Sequence, residues 1–427
     1  MCTQTDTIPL RLKKPILHRY FLWLLLVWPS GPAAAEAITL DEALRIALER
    51  SPALAVEQAA VAEAEARLVG AGIWQQNPEA NIEAAARLGP EDPTADWSVG
   101  LAQAFPLGGQ RGKRVAAGRA EVMQAQAARE AVRIDVRVRV HQAFLDVLLA
   151  REALLIEQAH AELSAALAAA AQRRLDMGAT GRLEVDVARI EVGRSAGRVA
   201  AARGAVRTAS TRLAEAMGVD PAAPPEATGV LEPPSGEVPT LAVLTESAQG
   251  GRVELKVVDQ ALAAAHARRA AAEADAIPDL TVSLSFGREA NTETLVGGGL
   301  SMPIPLFNTN QGPIAEASAA AARLEAEKSA IKYRIQQEVA AAVAELQTAI
   351  EVEQALRGQV LQPLDDSLGL LQRAFESGKI AGSEVLVLRS EFRESRLEWL
   401  TALAAAHRAR LHLDQVTGRL LVPQEPR

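Results

Sequence analysis

The chain of 427 residues has one cysteine, two tyrosines and an aromatic fraction of only 3%. The lone Cys2 precedes an apolar segment at the N-terminus, so no disulfide can staple the remainder and packing or assembly must stabilise it. Few aromatics among 49% hydrophobic residues, many of them alanine, favour long, closely packed helices over one thick globular core. Beyond that apolar segment no run approaches the roughly 20 residues of a membrane-spanning helix, so any membrane contact must be carried by strands.

What is present at the N-terminus reads as an export signal over residues 1–35. Arg11, Lys13, Lys14 and Arg19 form its basic region, residues 20–28 its apolar core, and Ala33 and Ala35 a small-residue cleavage site. Loss of its four basic residues and one acidic residue takes the formal charge from −8 to −11. That balance argues against a nucleic-acid partner.

The dominant feature is an internal duplication. A shift of 200 positions lays residues 172–218 on 372–418, with identities at Gln172/Gln372, Arg173/Arg373, Gly178/Gly378, Glu184/Glu384, Val185/Val385, Val187/Val387, Arg189/Arg389 and Glu191/Glu391. One unit is copied once, which gives a first repeat at 36–218, a proline-rich linker at 219–240, a second repeat at 241–418 and a tail at 419–427.

Each repeat has the same order of elements. Thr39-Leu40-Asp41-Glu42 reads as a capping box opening a helix to about residue 73. Two extended segments follow, at 79–87 and 97–105, around the turn-forming Gly89-Pro90-Glu91-Asp92-Pro93. A helical pattern then runs from Gly109 to about Met177, a rod of ~100 Å. The chain reverses at Met177-Gly178-Ala179 and returns as a helix to Met217. The second repeat predicts strands at 279–287 and 295–302, a long helix at 313–377, a reversal near 377–382 and a return helix at 383–417. The return helix carries a seam of Val385, Leu388, Phe392, Trp399, Ala402 and Ala406. Pro221, Pro224, Pro225, Pro233, Pro234 and Pro239 keep helix out of the linker.

Leu280, Val282, Leu284 and Phe286 alternate with Asp279, Thr281, Ser283 and Ser285, a period of two that divides an apolar face from a polar one. Such segments are close to the length of a tilted membrane strand. Four strands cannot close a barrel in lipid, but twelve from three chains can.

These residues resemble the TolC-like outer membrane factor family over about 38–418. The opening Ile38-Thr39-Leu40-Asp41-Glu42-Ala43-Leu44, with Ser51-Pro52-Ala53-Leu54, is similar to the family's first signature, and the two reversals to its periplasmic hairpin tips. Within the family the sequence is most similar to the CzcC-type branch of heavy-metal efflux. That likeness lies in Asn77-Pro78-Glu79, Phe105-Pro106-Leu107-Gly108-Gly109-Gln110-Arg111, and the run from Pro303, Ile304 and Pro305 to Gly312. Pro106, Gly108, Gly109, Pro303, Pro305 and Gly312 are the strand-to-helix junctions.

The resemblance implies a mixed α/β membrane protein: long helical hairpins forming a periplasmic α-barrel, and four strands per chain in a homotrimeric twelve-stranded outer-membrane β-barrel. It implies a passive efflux duct in the outer membrane, not an enzyme and without cofactor, partnered by a periplasmic adaptor and an inner-membrane pump of the resistance-nodulation-division class. Met177, Gly178, Ala179, Ser377, Gly378 and Lys379 would dock the adaptor. Glu184 and Glu384 would line the gate, Val387 standing at the family's second acidic position. For both, an acidic residue favouring a helix start is the competing reading. The same duct serving drugs or type I secretion is an alternative, and a periplasmic adaptor is one of another class. The mature histidines and methionines show no metal-ligand spacing.

Overall fold

The computed structural model describes residues 37–87, 94–234, 238–289, 293–376, 380 and 382–419. The expected signal, the Gly89–Pro93 turn, Ser377, Gly378 and Lys379 of the second tip, and the tail past Arg419 lie outside these residues.

The first repeat comprises β1 (Ala37–Ile38), α1 (Leu40–Arg50), α2 (Pro52–Gly72), β2 (Glu79–Arg87), β3 (Thr94–Phe105), α3 (Gln110–Asp176) and α4 (Arg182–Met217). The linker holds β4 (Glu226–Ala227), and the second repeat comprises α5 (Leu241–Gly251), α6 (Val253–Asp275), β5 (Leu280–Glu289), β6 (Glu293–Ser301), α7 (Gln311–Leu356), a π-turn (Arg357–Leu361), α8 (Gln362–Glu376) and α9 (Gly382–Val416). The capping box forms as the sequence predicts: the Thr39 hydroxyl accepts from the Glu42 N–H, and the Glu42 carboxylate accepts from the Thr39 N–H.

Three expectations are corrected. The opening helix is broken at Ser51, whose backbone is extended (φ −60°, ψ 121°) because Pro52 excludes the helical conformation from the residue before it. The second repeat breaks at the matching Arg252 without a proline. There the buried guanidinium is held by Glu254 at 2.8 Å and by Glu338 of α7.

The long helix expected over 313–377 is likewise interrupted by the π-turn. Pro363 lacks an N–H, and in a regular helix its ring would strike the Gln359 carbonyl, so widening the turn relieves the clash. Its counterpart α3 has Leu163 at that level and runs unbroken for 67 residues. Finally, Leu388 does not join the seam of α9. It is exposed, while Val385, Leu400, Leu403 and Ala406 are buried.

Two cores of the helical body lie beside the proline-rich linker, touching Val219 and Ala227 in one and Val238 in the other. In one, Val136, Val140 and Phe144 of α3 meet Leu213 and Met217 of α4; in the other, Ile335, Val339 and Leu346 of α7 meet Leu413 and Val416 of α9. Between the repeats α3 packs along both α6 and α9, and Leu145 and Leu149 close on Leu400 and Leu403. A parallel bridge of Ile38 to Ala227 ties the start of the described chain to the proline linker, reinforced by the Thr228 N–H donating to the Ile38 carbonyl at 2.9 Å.

The four long strands form one antiparallel sheet in the order β2-β3-β5-β6, so the central pair joins the two repeats. The register aligns Ile82 with Val99, Val99 with Phe286, and Phe286 with Val296.

Candidate functional site

That register sorts the sheet into two unlike faces. Residues directly opposite each other share a face. One face carries Ile82, Trp97, Val99, Leu101, Phe105, Leu284, Phe286, Val296 and Leu300, all of them exposed. The other carries Glu79, Asn81, Glu83, Asp96, Ser98, Gly100, Thr281, Ser283, Ser285, Gly297 and Gly299. A small residue is required at Gly287 on that face, where a Cβ would lie 2.6 Å from the Trp97 carbonyl, while Gly100 and Gly297 sit against the Asn81 and Ser285 side chains.

Aromatic rings mark both ends of the apolar face. Trp97 and Phe286 lie 6.0 Å apart near the hairpin loops, and Trp74 meets Phe105 at 6.1 Å beside the helices. From Trp97 to Phe105 the strand is about 26 Å long, which at the tilt of a membrane barrel's strands spans about 20 Å of height, within its apolar band. Strands β2 and β6 each leave one edge unpaired within the chain.

Sheet and helices meet at the expected junctions. Gly109 caps α3 in the left-handed conformation (φ 68°), and Asn310 does so for α7 (φ 59°). Gly312 falls inside the first turn of α7, so Asn310 holds the strained position. Gly108 has no room for a side chain, since a Cβ would sit 2.7 Å from the Ala274 carbonyl. Pro106 ends β3, and Pro303 and Pro305 lie between β6 and α7. Gln110, almost wholly buried, donates from Nε2 to the Ile277 carbonyl at 2.9 Å and to Asp279 at 3.2 Å, tying the first repeat to the second. It floors a cleft of 450 Å³ that Glu79, Asp275, Asp279 and Arg114 also line.

At the far end, α3 stops in a Schellman turn. The Gly178 N–H bonds the Leu175 carbonyl and the Ala179 N–H the Arg174 carbonyl, both at 2.8 Å, with Gly178 at φ 72°. Met177 projects outward with 74% of its surface exposed, and Leu183, Val187 and Ile190 expose a stripe along the first turns of α4. Glu184 is held locally, by Arg174 at 3.8 Å and by the donating Thr180 hydroxyl, an arrangement that suits a helix-start role. Glu384 lies exposed in the first turn of α9. The two tips pack together through Leu386, which meets Leu167, Val185 and Ala188.

Sequence reasoning missed a buried ionic cluster midway down the helices. Glu157 of α3 accepts from Arg393 of α9 at 2.9 Å and faces Arg198 of α4 at 3.4 Å. Glu191 takes Arg198 and, at 3.2 Å, His160. Burial alone would raise the Glu191 pKa, but the hydrogen bonds from Arg198 and His160 outweigh it and leave the carboxyl below its usual value. The sequence signal was the spacing of Glu157/His160 and Glu191/Arg198 on faces otherwise apolar.

His141 of α3 and His407 of α9 also face each other, with burial lowering the pKa of both. Among the described residues no group of three or more histidines, cysteines or carboxylates is arranged to hold a metal ion, and no helix is long and apolar enough to cross a membrane.

Comparison with known proteins places this arrangement. The family described as outer membrane efflux protein matches residues 43–219 and 244–419, both halves of the duplication. The cobalt-zinc-cadmium resistance protein CzcC of Cupriavidus metallidurans is 28% identical over 90% of this chain and 91% of its own length. Among solved structures, CusC superposes with a TM-score of 0.70 at 19% identity, covering 92% of this chain and 95% of that one. The open state of the MtrE outer membrane channel of Neisseria gonorrhoeae does so with a TM-score of 0.68 at 17% identity, covering 89% and 88%.

Proposed function

Because this chain belongs to the outer membrane efflux protein family, matched over both repeats, we propose that it forms a trimeric duct that carries heavy-metal cations out of the cell. As a member of that family it is the outer-membrane channel component of a tripartite efflux system, with a helical body extending into the periplasm.

The observation that carries the proposal is the division of the sheet. An exposed apolar face suits lipid, and a face of serine, glycine and carboxylates suits a watery lumen. The unpaired edges of β2 and β6 cannot stand in lipid. Three copies joined edge to edge would close twelve strands.

Heavy-metal cargo is supported by the likeness to the cobalt-zinc-cadmium resistance protein along nearly the whole of both chains. Cargo would pass as hydrated ions attracted by charge. Glu384 at the second tip of each chain would favour cations, and Met177, Gly178, Ala179, Ser377, Gly378 and Lys379 would receive a periplasmic adaptor coupled to a pump of the resistance-nodulation-division class.

The test is genetic and hydrodynamic. Deleting the gene while its pump remains active should sensitise cells to cobalt, zinc or cadmium; unchanged metal tolerance with drug hypersensitivity would replace the cargo. Light scattering of the detergent-extracted protein should give a trimer, and a stable monomer would remove the barrel.

A further inference from the structure

A strongly polar side chain on a lipid-facing surface either finds a partner inside the protein or reaches the headgroup layer. The apolar face of this sheet carries Gln103 and Arg288, and the two are treated differently. Gln103 turns inward, its Nε2 donating to the carbonyls of Gln76 at 3.1 Å and Ala104 at 2.8 Å. Arg288 is exposed and, among the described residues, its guanidinium has neither hydrogen bond nor ion pair.

The register explains the lack of a partner. Arg288 lies directly opposite Trp97, in the row beyond Val99, Phe286 and Val296. Glu83, Asp96, Glu289 and Glu293, the carboxylates of the same end of the sheet, all fall on the opposite face. The end in question is that of the hairpin loops, away from the helices, and under the reading proposed above it meets the outer leaflet. A cation there stands at the upper border of the apolar band, beside the Trp97 and Phe286 rings.

We propose that Arg288 and Trp97 form a binding site for an anionic, phosphate-bearing lipid headgroup of the outer leaflet. The guanidinium takes the phosphate oxygens through charge-assisted hydrogen bonds, while Trp97 and Phe286 cover the upper part of the acyl chains. A trimer presents three such sites around its circumference. Each pins the depth of the barrel in the bilayer and adds a lipid-dependent increment to its stability.

The probe is the whole mature protein in nanodiscs of phosphatidylcholine, with or without phosphatidylglycerol. Native mass spectrometry should find phosphatidylglycerol retained on the wild-type protein, and thermal dissociation should be delayed by it. Arg288→Gln should weaken retention about five- to ten-fold and abolish the delay. Arg288→Lys should keep most of both, and Ser285→Gln, on the opposite face, should change neither. Inorganic phosphate added to phosphatidylcholine discs should not reproduce the effect. Full retention by Arg288→Gln, or an equal delay from inorganic phosphate, would overturn the headgroup site. Failure of the wild-type protein to enter nanodiscs at all would instead overturn the membrane-barrel reading on which the site rests.

Discussion

Glu157 and Arg393, 236 positions apart in the chain, meet at 2.9 Å with side chains only 9% and 13% exposed, and so bolt the first repeat to the second midway down the helical body. Burying such a pair costs desolvation of both groups, while removing one partner leaves the other charged and uncompensated. Arg393→Ala should therefore destabilise the helical body by about 3 kcal/mol, and joint replacement of both residues by leucine by much less. Chemical denaturation followed by circular dichroism separates the two outcomes.

Glu191 gives the same region a pH dependence. Its carboxyl has a lower pKa folded than unfolded, so the stability it contributes is present above the usual value of 4.5 and is lost as the pH falls through the folded value. Denaturation midpoints should already decline gently from neutrality to about pH 5, because the lowered pKa values of His141 and His407 favour the unfolded chain there, and drop further below about pH 4 as Glu191 is protonated. Glu191→Gln should lower the neutral-pH midpoint and flatten the acid limb.

Opposite faces of one strand should respond oppositely to charge. Leu284→Arg faces the band assigned to lipid and should cost roughly 2–4 kcal/mol, with a loss of heat-resistant oligomer in membrane fractions. Ser285→Arg, one position along and on the lumen face, should insert normally and alter conductance instead.

At the tips the two acidic positions should prove unequal. The Glu184 side chain is only 25% exposed, against Arg174, whereas Glu384 is the more exposed of the two at the start of α9. Reversal potentials in planar bilayers should shift toward weaker cation preference in Glu384→Gln and barely move in Glu184→Gln.

Gly178 should tolerate asparagine and resist alanine. Its φ of 72° costs an L-residue about 1–2 kcal/mol, so Gly178→Ala should lower the denaturation midpoint while Gly178→Asn keeps most of it. Met177→Asp, at an exposed site on the same turn, should leave the fold intact and weaken adaptor capture in a pull-down with the purified partner.

Much of this architecture was legible because its signals are periodic. The duplication, the alternation around Leu284, the capping box at Thr39 and the glycine reversal at Gly178 each follow from local chemistry. The breaks were less so. Pro363 lies in plain view, but an otherwise continuous helical pattern hid the π-turn it demands. The break at Arg252 depends on Glu338, 86 residues away, which no local rule sees.

Pairings across the molecule were invisible for the same reason. The clasp of Glu157 and Arg393, the reach of Gln110 to Ile277 and the apposition of His141 and His407 need the helices placed first. Likewise the spacing of the seam on α9 included Leu388 because period alone cannot say which side of a helix a neighbour occupies.

The 67 unbroken residues of α3 also set a rule for how such a chain can change length. Gln110 is fastened to the second repeat at one end, Glu157 to Arg393 of α9 midway, and Leu167 and Ala171 pack against Leu386 of α9 near the other. An insertion in α3 alone would slide these three fastenings out of step. Lengthening is therefore feasible only when matched in the antiparallel arms and in both repeats, by steps near seven residues that return the same side to its neighbour, about 10 Å at a time. The span between the two ends is thus inherited in increments, and a graft of tips from a longer relative should fail unless its whole shaft comes with it.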